Sequence, residues 1–290
     1  MLPIRDDNPT RRFAVVTFVI IALNALAFLA WEPTFATGPN ANQRQFVFFY
    51  CQAEVPYETT HQTTLADGGA SARSAIAASG ILRGTGVSPS GFQSFLRSRC
   101  PHKNWFASIF TAMFLHAGWA HIGFNMLFLW IFGNNVEDRI GRIRYLLFYL
   151  AAGIVASLAQ LATGPDSAIP NLGASGAIAG VLGAYLVMFP RRKVLTVVIL
   201  FFFITWVYVP AVFVLGAWFL LQLLNEYGAL STATNASGGV AFAAHIGGFV
   251  FGVLLALLFF PKEGLRRPPP RRPDVPRAWG VRRRPALGAP

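Results

Sequence analysis

Residues 173–190 read Gly-Ala-Ser-Gly-Ala-Ile-Ala-Gly-Val-Leu-Gly-Ala-Tyr-Leu-Val-Met-Phe-Pro, a stretch without a single charge and with one serine near its start, Ser175. From Ser175 to Phe189 there are fifteen residues, roughly 22 Å of helix. The hydrocarbon core of a bilayer is about 30 Å thick and takes about 20 helical residues. The stretch is apolar enough for lipid and too short to cross it. The chain from Gly164 to Gly173 is therefore expected to enter the protein as a loop, which a membrane protein tolerates only where the loop is buried in protein or lines a cavity.

The rest of the chain agrees with a membrane setting. Of 290 residues, 54% are hydrophobic and 12% charged, and the mean hydropathy is +0.49, too apolar for an ordinary soluble domain. Runs free of Asp, Glu, Lys and Arg recur: Phe13 to Trp31, Trp105 to Val136, Tyr145 to Ala162, Gly173 to Pro190, Val194 to Asn225 and Ser237 to Pro261. Six spans is the natural reading. The first run follows Arg11 and Arg12 and contains Ala25-Leu26-Ala27, which also fits a cleaved signal peptide. Its apolar core is longer than the 7 to 15 residues usual for one, which favours a retained helix.

The formal charge of +12 does not point to nucleic acid, because the cations are distributed by loop. Arg5, Arg11 and Arg12 precede the first run, Arg139, Arg142 and Arg144 follow the second, Arg191, Arg192 and Lys193 follow the fourth, and nine more stand from Lys262 onward. The short connections 163–170 and 226–236 carry none. The positive-inside rule then places both termini in the cytoplasm of a multi-pass cell-membrane protein. The first loop holds six basic residues but is too long for the rule to apply.

That loop, 32–104, is polar, external and expected to have little structure of its own. It contains both cysteines, Cys51 and Cys100. Outside the cell a pair usually means one disulfide, with two free thiols as the alternative. The run from Val194 to Asn225 exceeds one span, and Pro210 divides it. Its fifth helix is expected to be kinked, or preceded by an interfacial turn near Phe201-Phe202-Phe203. Beyond Lys262 the chain is rich in Pro and Arg and cannot bury a core. It suits a solvated tail or an anionic lipid surface.

Chemistry is sought by depth. Counting to the cytoplasmic charges, Ser175 lies sixteen residues from Arg191, His121 sixteen from Glu137, and His245 seventeen from Lys262. All three therefore stand about 24 to 26 Å from the inner edge of the membrane. Ser175 at a helix start gains unpaired backbone N–H groups that favour an oxyanion, and Gly173 and Gly176 let the backbone turn tightly and approach a substrate. His245 is the base available to activate the serine. With no carboxylate in any span, the pair reads as a Ser-His dyad. His121 and Asn125 are four apart on one helical face and suit oxyanion donors. Each feature alone has a plainer reading. Small residues and the GxxxG spacings Gly176/Gly180 and Gly248/Gly252 serve helix packing, and a lone histidine in a membrane is often structural. His116 is read as structural or loop-supporting.

The stretches His116-Ala-Gly-Trp-Ala-His121-Ile-Gly-Phe-Asn125, Gly173-Ala-Ser175-Gly176, and Ala244-His245-Ile-Gly-Gly248 with Gly252 resemble, in this order, the rhomboid family of intramembrane serine proteases. Glu137-Asp138-Arg139 with Gly141 adds to the likeness, which covers about residues 105–262. The resemblance implies a six-helix core in which Ser175 opens the fourth helix, His245 is the base, and His121 and Asn125 assist the oxyanion. Two positions depart from it. Trp105 is followed by Phe106 where some members have arginine, and Ala179 stands where some have a tyrosine that stacks on the histidine.

The expectation is an all-α membrane protein, a six-transmembrane-helix rhomboid-like bundle with a short fourth helix starting within the membrane. Its parts are a cytoplasmic tail 1–12, a first span 13–31, the external loop 32–104, a catalytic core 105–261 and a basic tail 262–290. It is expected to cleave transmembrane protein substrates in or next to their membrane segments, within membrane lipid, with no cofactor, no metal and no nucleic-acid partner, its site opening to the external side under the polar loop 226–237. A transporter with a histidine relay is disfavoured because no span carries an acidic or basic side chain. A catalytically silent rhomboid-like protein that binds membrane clients is the alternative.

Overall fold

A computed structural model describes residues 2–35, 37, 40–200, 203–231 and 241–259. The basic tail 262–290 lies outside these residues, as do residues 232–237 of the loop 226–237 expected to cap the site, whose first residues instead continue a helix to Ser231. The described chain is mostly helical. Strand β1 (Leu2–Asp6) precedes α1 (Val15–Leu26), which continues through a π-helical turn to Trp31. Four short helices follow: α2 (Ala41–Gln52), α3 (Pro56–His61), α4 (Gly69–Ser79) and α5 (Pro89–Arg99). The bundle resumes with α6 (Trp105–Ala112) and α7 (Trp119–Phe128), the latter running through a second π-helical turn into α8 (Asn134–Ile140). After α9 (Arg142–Thr163) and α10 (Ser175–Met188) come strands β2 (Lys193–Leu200) and β3 (Phe203–Pro210), then α11 (Ala211–Ser231) and α12 (Phe242–Phe259). Three helices are long and apolar enough to cross a membrane, α9, Ala211–Gly228 of α11, and α12, while Val15–Trp31 and α10 are shorter apolar helices.

Helix α10 is at the centre. Twelve of its residues are buried, on every side, as expected of a helix that is apolar all round. Its neighbours approach closely because the residues between them are small. A Cβ added at Gly252 would run into the Gly180 carbonyl oxygen, and one at Gly248 into that of Gly176. On the other flank a Cβ on Gly176 would stand 2.6 Å from Ala156, and one on Gly180 the same distance from Ala152. Helices α9, α10 and α12 therefore touch almost backbone to backbone. In lipid, where apolar burial gives no drive between helices, such packing is what holds them together.

The fifth apolar run departs from expectation. Neither a kinked helix nor a lone interfacial turn near residues 201–203 forms its first part, which is an antiparallel hairpin whose strands pair from Lys193↔Pro210 to Leu200↔Phe203. The N-terminal residues add a third strand, with Leu2 opposite Val197 and Asp6 opposite Val194. The reason is composition: Val194, Thr196, Val197, Val198 and Ile199, then Ile204, Thr205, Val207 and Val209, are β-branched, and such side chains fit a pleated surface better than a helix. Pro210, which has no N–H to give, ends the sheet, and α11 starts at the next residue. The chain is thus not all-α. Trp206 and Tyr208 on β3 are more than half exposed, the residue types that favour a membrane–water boundary.

The second apolar run is also divided, since α6 and α7 are separate helices joined by residues 113–118. Two carboxylates fasten α1 to α8. Glu137 accepts from the Val16 N–H at 3.0 Å and from the Thr17 N–H and Oγ1 at 2.7 and 2.8 Å, and Asp138 accepts the Arg11 and Arg12 N–H groups.

The long loop has more structure than expected. Helices α2 to α5 bury Tyr50, Val55, Tyr57, Leu65, Ile76, Phe92 and Leu96 in a core of their own, closed by a disulfide between Cys51 and Cys100. The unit is docked on the connection between α9 and α10. Asn171 donates its N–H to the Glu54 carbonyl at 2.7 Å, Tyr57 donates its N–H to Ser167 O at 3.0 Å, and Tyr50 donates its hydroxyl to Ala168 O at 3.1 Å. Beneath it Lys103 pairs with Glu58, both side chains 3% exposed. Burial pushes the Glu58 carboxyl up and the Lys103 ammonium down, and each charge opposes the other's shift. Lys103→Met is expected to cost about 3 to 5 kcal/mol, because it leaves a carboxylate buried without its cation. Thermal unfolding would show this loss, and Lys103→Met combined with Glu58→Gln should recover most of it.

Candidate active site

Ser175 is the first residue of α10, and the chain is brought to it by backbone geometry. Gly173 has φ +124°, a conformation side chains disfavour, and its Hα side faces His121: a Cβ there would stand 2.8 Å from His121 Nε2 and 3.5 Å from Ser175 Oγ. The Gly173 N–H is anchored to Ala112 O at 2.8 Å. Among the described residues no side chain caps the start of α10, and first-turn N–H groups have no partner within their own helix.

His245 stands on α12, one turn before Gly248, and its Nε2 lies 2.7 Å from Ser175 Oγ. Its other ring nitrogen, Nδ1, faces Gln222 Oε1 on α11 at 2.8 Å. An amide oxygen can only accept, so in this arrangement Nδ1 carries the proton and Nε2 turns its lone pair to the serine hydroxyl. Both Ser175 and His245 are half-buried. The ring neighbours of His245 are Trp218 of α11, 5.9 Å between centroids, and Phe242 at 6.5 Å. Ala179 is fully buried and offers no ring, so aromatic company for the histidine comes from α11 and α12.

Beside Gly173, two residues before the serine, stands His121. The Ala117 N–H donates to its Nδ1 at 3.3 Å, which puts the proton on Nε2, the nitrogen beside Gly173. A neutral imidazole so held offers one N–H towards the serine. Asn125, one turn further along α7, is buried with an amide nitrogen that has no partner among the described residues, a donor left open. His116 is wholly buried and meets His121 edge to face at 5.0 Å. Its backbone N–H donates to Glu32 at 2.9 Å, which ties the α6–α7 connection to the end of the first helix.

The structure thus gathers Ser175, His245, His121 and Gly173 at one place, with Asn125 on the same helix as His121. Gly176 faces Ala156 and Gly248 and serves the contact of three helices. Reading the sequence missed Gln222, Trp218 and Glu32. Gln222 had one visible signal, an amide within a charge-free run, and Glu32 had none, standing just beyond the first run.

Residues 103–262 match the Rhomboid domain family. Among known proteins, the chain is 35% identical over 151 residues to Rhomboid protein 1, mitochondrial, of Saccharomyces cerevisiae, covering 51% of this chain and 40% of that one. It is 49% identical over 86 residues to Rhomboid protease GluP of Bacillus subtilis, 29% of this chain and 16% of that one. It is 34% identical over 173 residues to Rhomboid-like protein 11, chloroplastic, of Arabidopsis thaliana, 56% of this chain and 55% of that one. The match spans little more than half of these relatives at most.

Proposed function

This chain belongs to the rhomboid family, and from that premise we propose that it is an intramembrane serine endopeptidase, acting on membrane proteins in or next to their transmembrane segments. The observation that carries the reading is the 2.7 Å approach of Ser175 Oγ to His245 Nε2, with the far nitrogen of the ring held by Gln222.

In this reading Ser175 Oγ attacks the scissile carbonyl carbon while its proton passes to His245 Nε2. The negative charge formed on the carbonyl oxygen is met by His121 Nε2–H, the Asn125 amide and the N–H groups at the start of α10. His245 then protonates the leaving amine, the C–N bond breaks, and an ester on Ser175 remains. Water entering from the Ser175 end, deprotonated by His245, hydrolyses that ester and restores the serine. A substrate helix must unwind to present its carbonyl, so small or helix-breaking residues near the cut are expected.

The proposed spans are 15–31, 119–140, α9, α10, α11 and α12. The distribution of cations among the loops supports a reading with both termini in the cytoplasm and the Ser175 end on the external side of a cell membrane. The test is a fluorophosphonate probe with a panel of transmembrane substrates in detergent. Labelling at Ser175 that requires His245, together with cleavage, is expected. Neither labelling nor cleavage would sink the protease reading and favour the silent client-binding one.

Gln222 acts here as a positioning residue. Gln222→Leu is expected to lower kcat about ten- to a hundredfold, the worth of one hydrogen bond to a group that becomes charged. Gln222→Glu keeps an acceptor and adds a negative charge that favours the imidazolium, so its acid limb in the rate profile should move to higher pH. An unshifted limb would mean that Gln222 does not hold the ring.

A further inference from the structure

At the end of the bundle away from Ser175, the start of α9 and the approach to α1 enclose an open cleft of about 480 Å³. Arg12, Arg142 and Arg144 line it, and all three are exposed. Among the described residues none of them has a carboxylate within ion-pair distance. Two acids also line the cleft, so three arginines stand against two carboxylates, both of which already accept hydrogen bonds. Glu137 accepts from α1 with both oxygens, and Asp138 does the same for the Arg11 and Arg12 amides. Three arginines therefore border one space, backed by a helix start that has no side-chain cap and no acid in its first turn. Guanidinium groups recognise phosphate in forked pairs.

The walls of the cleft add a second demand. Phe13 is 63% exposed and Ile143 77% exposed, and Leu147, one turn beyond Ile143, is 62% exposed. This apolar strip runs from the arginines along the outside of α9, where acyl chains would lie. A soluble anion would use the arginines and leave the strip bare. An anionic phospholipid satisfies both.

We infer that this cleft is a binding site for the phosphate headgroup of an anionic phospholipid, held by Arg12, Arg142 and Arg144, with its acyl chains along Ile143 and Leu147. It differs from a general attraction of basic loops to anionic membranes in that particular arginines carry it.

The test uses the full-length protein in detergent, titrated with phosphatidylglycerol or phosphatidylcholine and read by native mass spectrometry as retained lipid. Wild type is expected to retain phosphatidylglycerol at least about tenfold more tightly than phosphatidylcholine, and Arg12→Gln/Arg142→Gln/Arg144→Gln should lose that preference. A charge-matched control at the same end, Arg5→Gln/Arg191→Gln/Lys193→Gln, should change it by less than about twofold. Equal loss in both triple variants would mean diffuse attraction, and no loss in the cleft variant would mean no site. Either overturns the inference. In a third arm, millimolar inorganic phosphate alone is added. If it displaces phosphatidylglycerol completely, the occupant is a free phosphate and the lipid assignment fails. Thermal unfolding in phosphatidylcholine checks that the cleft variant is folded; if it is not, Arg142→Gln/Arg144→Gln replaces it, with the same expected loss of preference.

Discussion

Ser175→Ala should reduce cleavage of a transmembrane substrate by at least about 10⁴-fold, the scale on which serine hydrolases fail without their nucleophile. The fold should survive the change. Ser175 opens a helix whose neighbouring positions are already Ala174, Gly176 and Ala177, and no backbone group depends on its side chain as a cap. What disappears is the hydroxyl 2.7 Å from His245 Nε2. His245→Ala should be nearly as damaging, and the double variant hardly worse than either single one, because the two groups work as a unit. Cleavage of a tagged substrate in proteoliposomes, set beside thermal unfolding of each variant, checks both parts. Persistent cleavage by a folded Ser175→Ala protein would mean that another group attacks.

Gly248→Ala should also lower the rate, by about a hundredfold and for a different reason. The added methyl points at the Gly176 carbonyl oxygen, which is backbone on a helix buried on all sides, so neither partner can turn aside. Helices α10 and α12 must move apart, an overpacking cost of about 1 to 3 kcal/mol. Gly176 directly follows Ser175, and Gly248 is one turn past His245, so the separation opens the pair itself. Misplacing reacting groups by about 1 Å is enough to cost about a hundredfold in rate. The control is Gly216→Ala in α11, where a Cβ meets nothing within 4 Å, and which should keep its stability. Wild-type rate and melting in Gly248→Ala would overturn the view that direct backbone contact sets the position of His245.

The closeness of Ser175 and His245 was legible in the sequence because charges mark where a span ends and the rise per residue is fixed. Counting from Arg191 and Lys262 needed no contact information. The hairpin was not legible from apolar run length, since a buried strand and a helix segment look alike in that measure. The β-branched density from Val194 to Val209 was the better signal. The external unit was obscured for the opposite reason: its core residues, such as Tyr50, Ile76 and Phe92, are spread thinly among polar ones, so no periodic stripe appears. Gln222 was hidden because the search was for a charged orienting group, and an uncharged amide can hold the ring's tautomer as well.

The three-stranded sheet joins parts of the chain far apart in sequence, with Leu2 opposite Val197. During synthesis β1 must wait for its partner. At 5 to 20 residues per second, roughly 10 to 40 seconds pass between the making of one strand and the other. Throughout that interval the edge of Leu2–Asp6 that pairs with β2 is open, and the carboxylate of Asp6, which in the finished protein accepts from Asn135 and Tyr185 at 2.7 Å each, gains these donors only as residues 135 and 185 are made. Closure of the sheet on this side therefore comes only after α10 has been made, because β2 follows α10 in the chain.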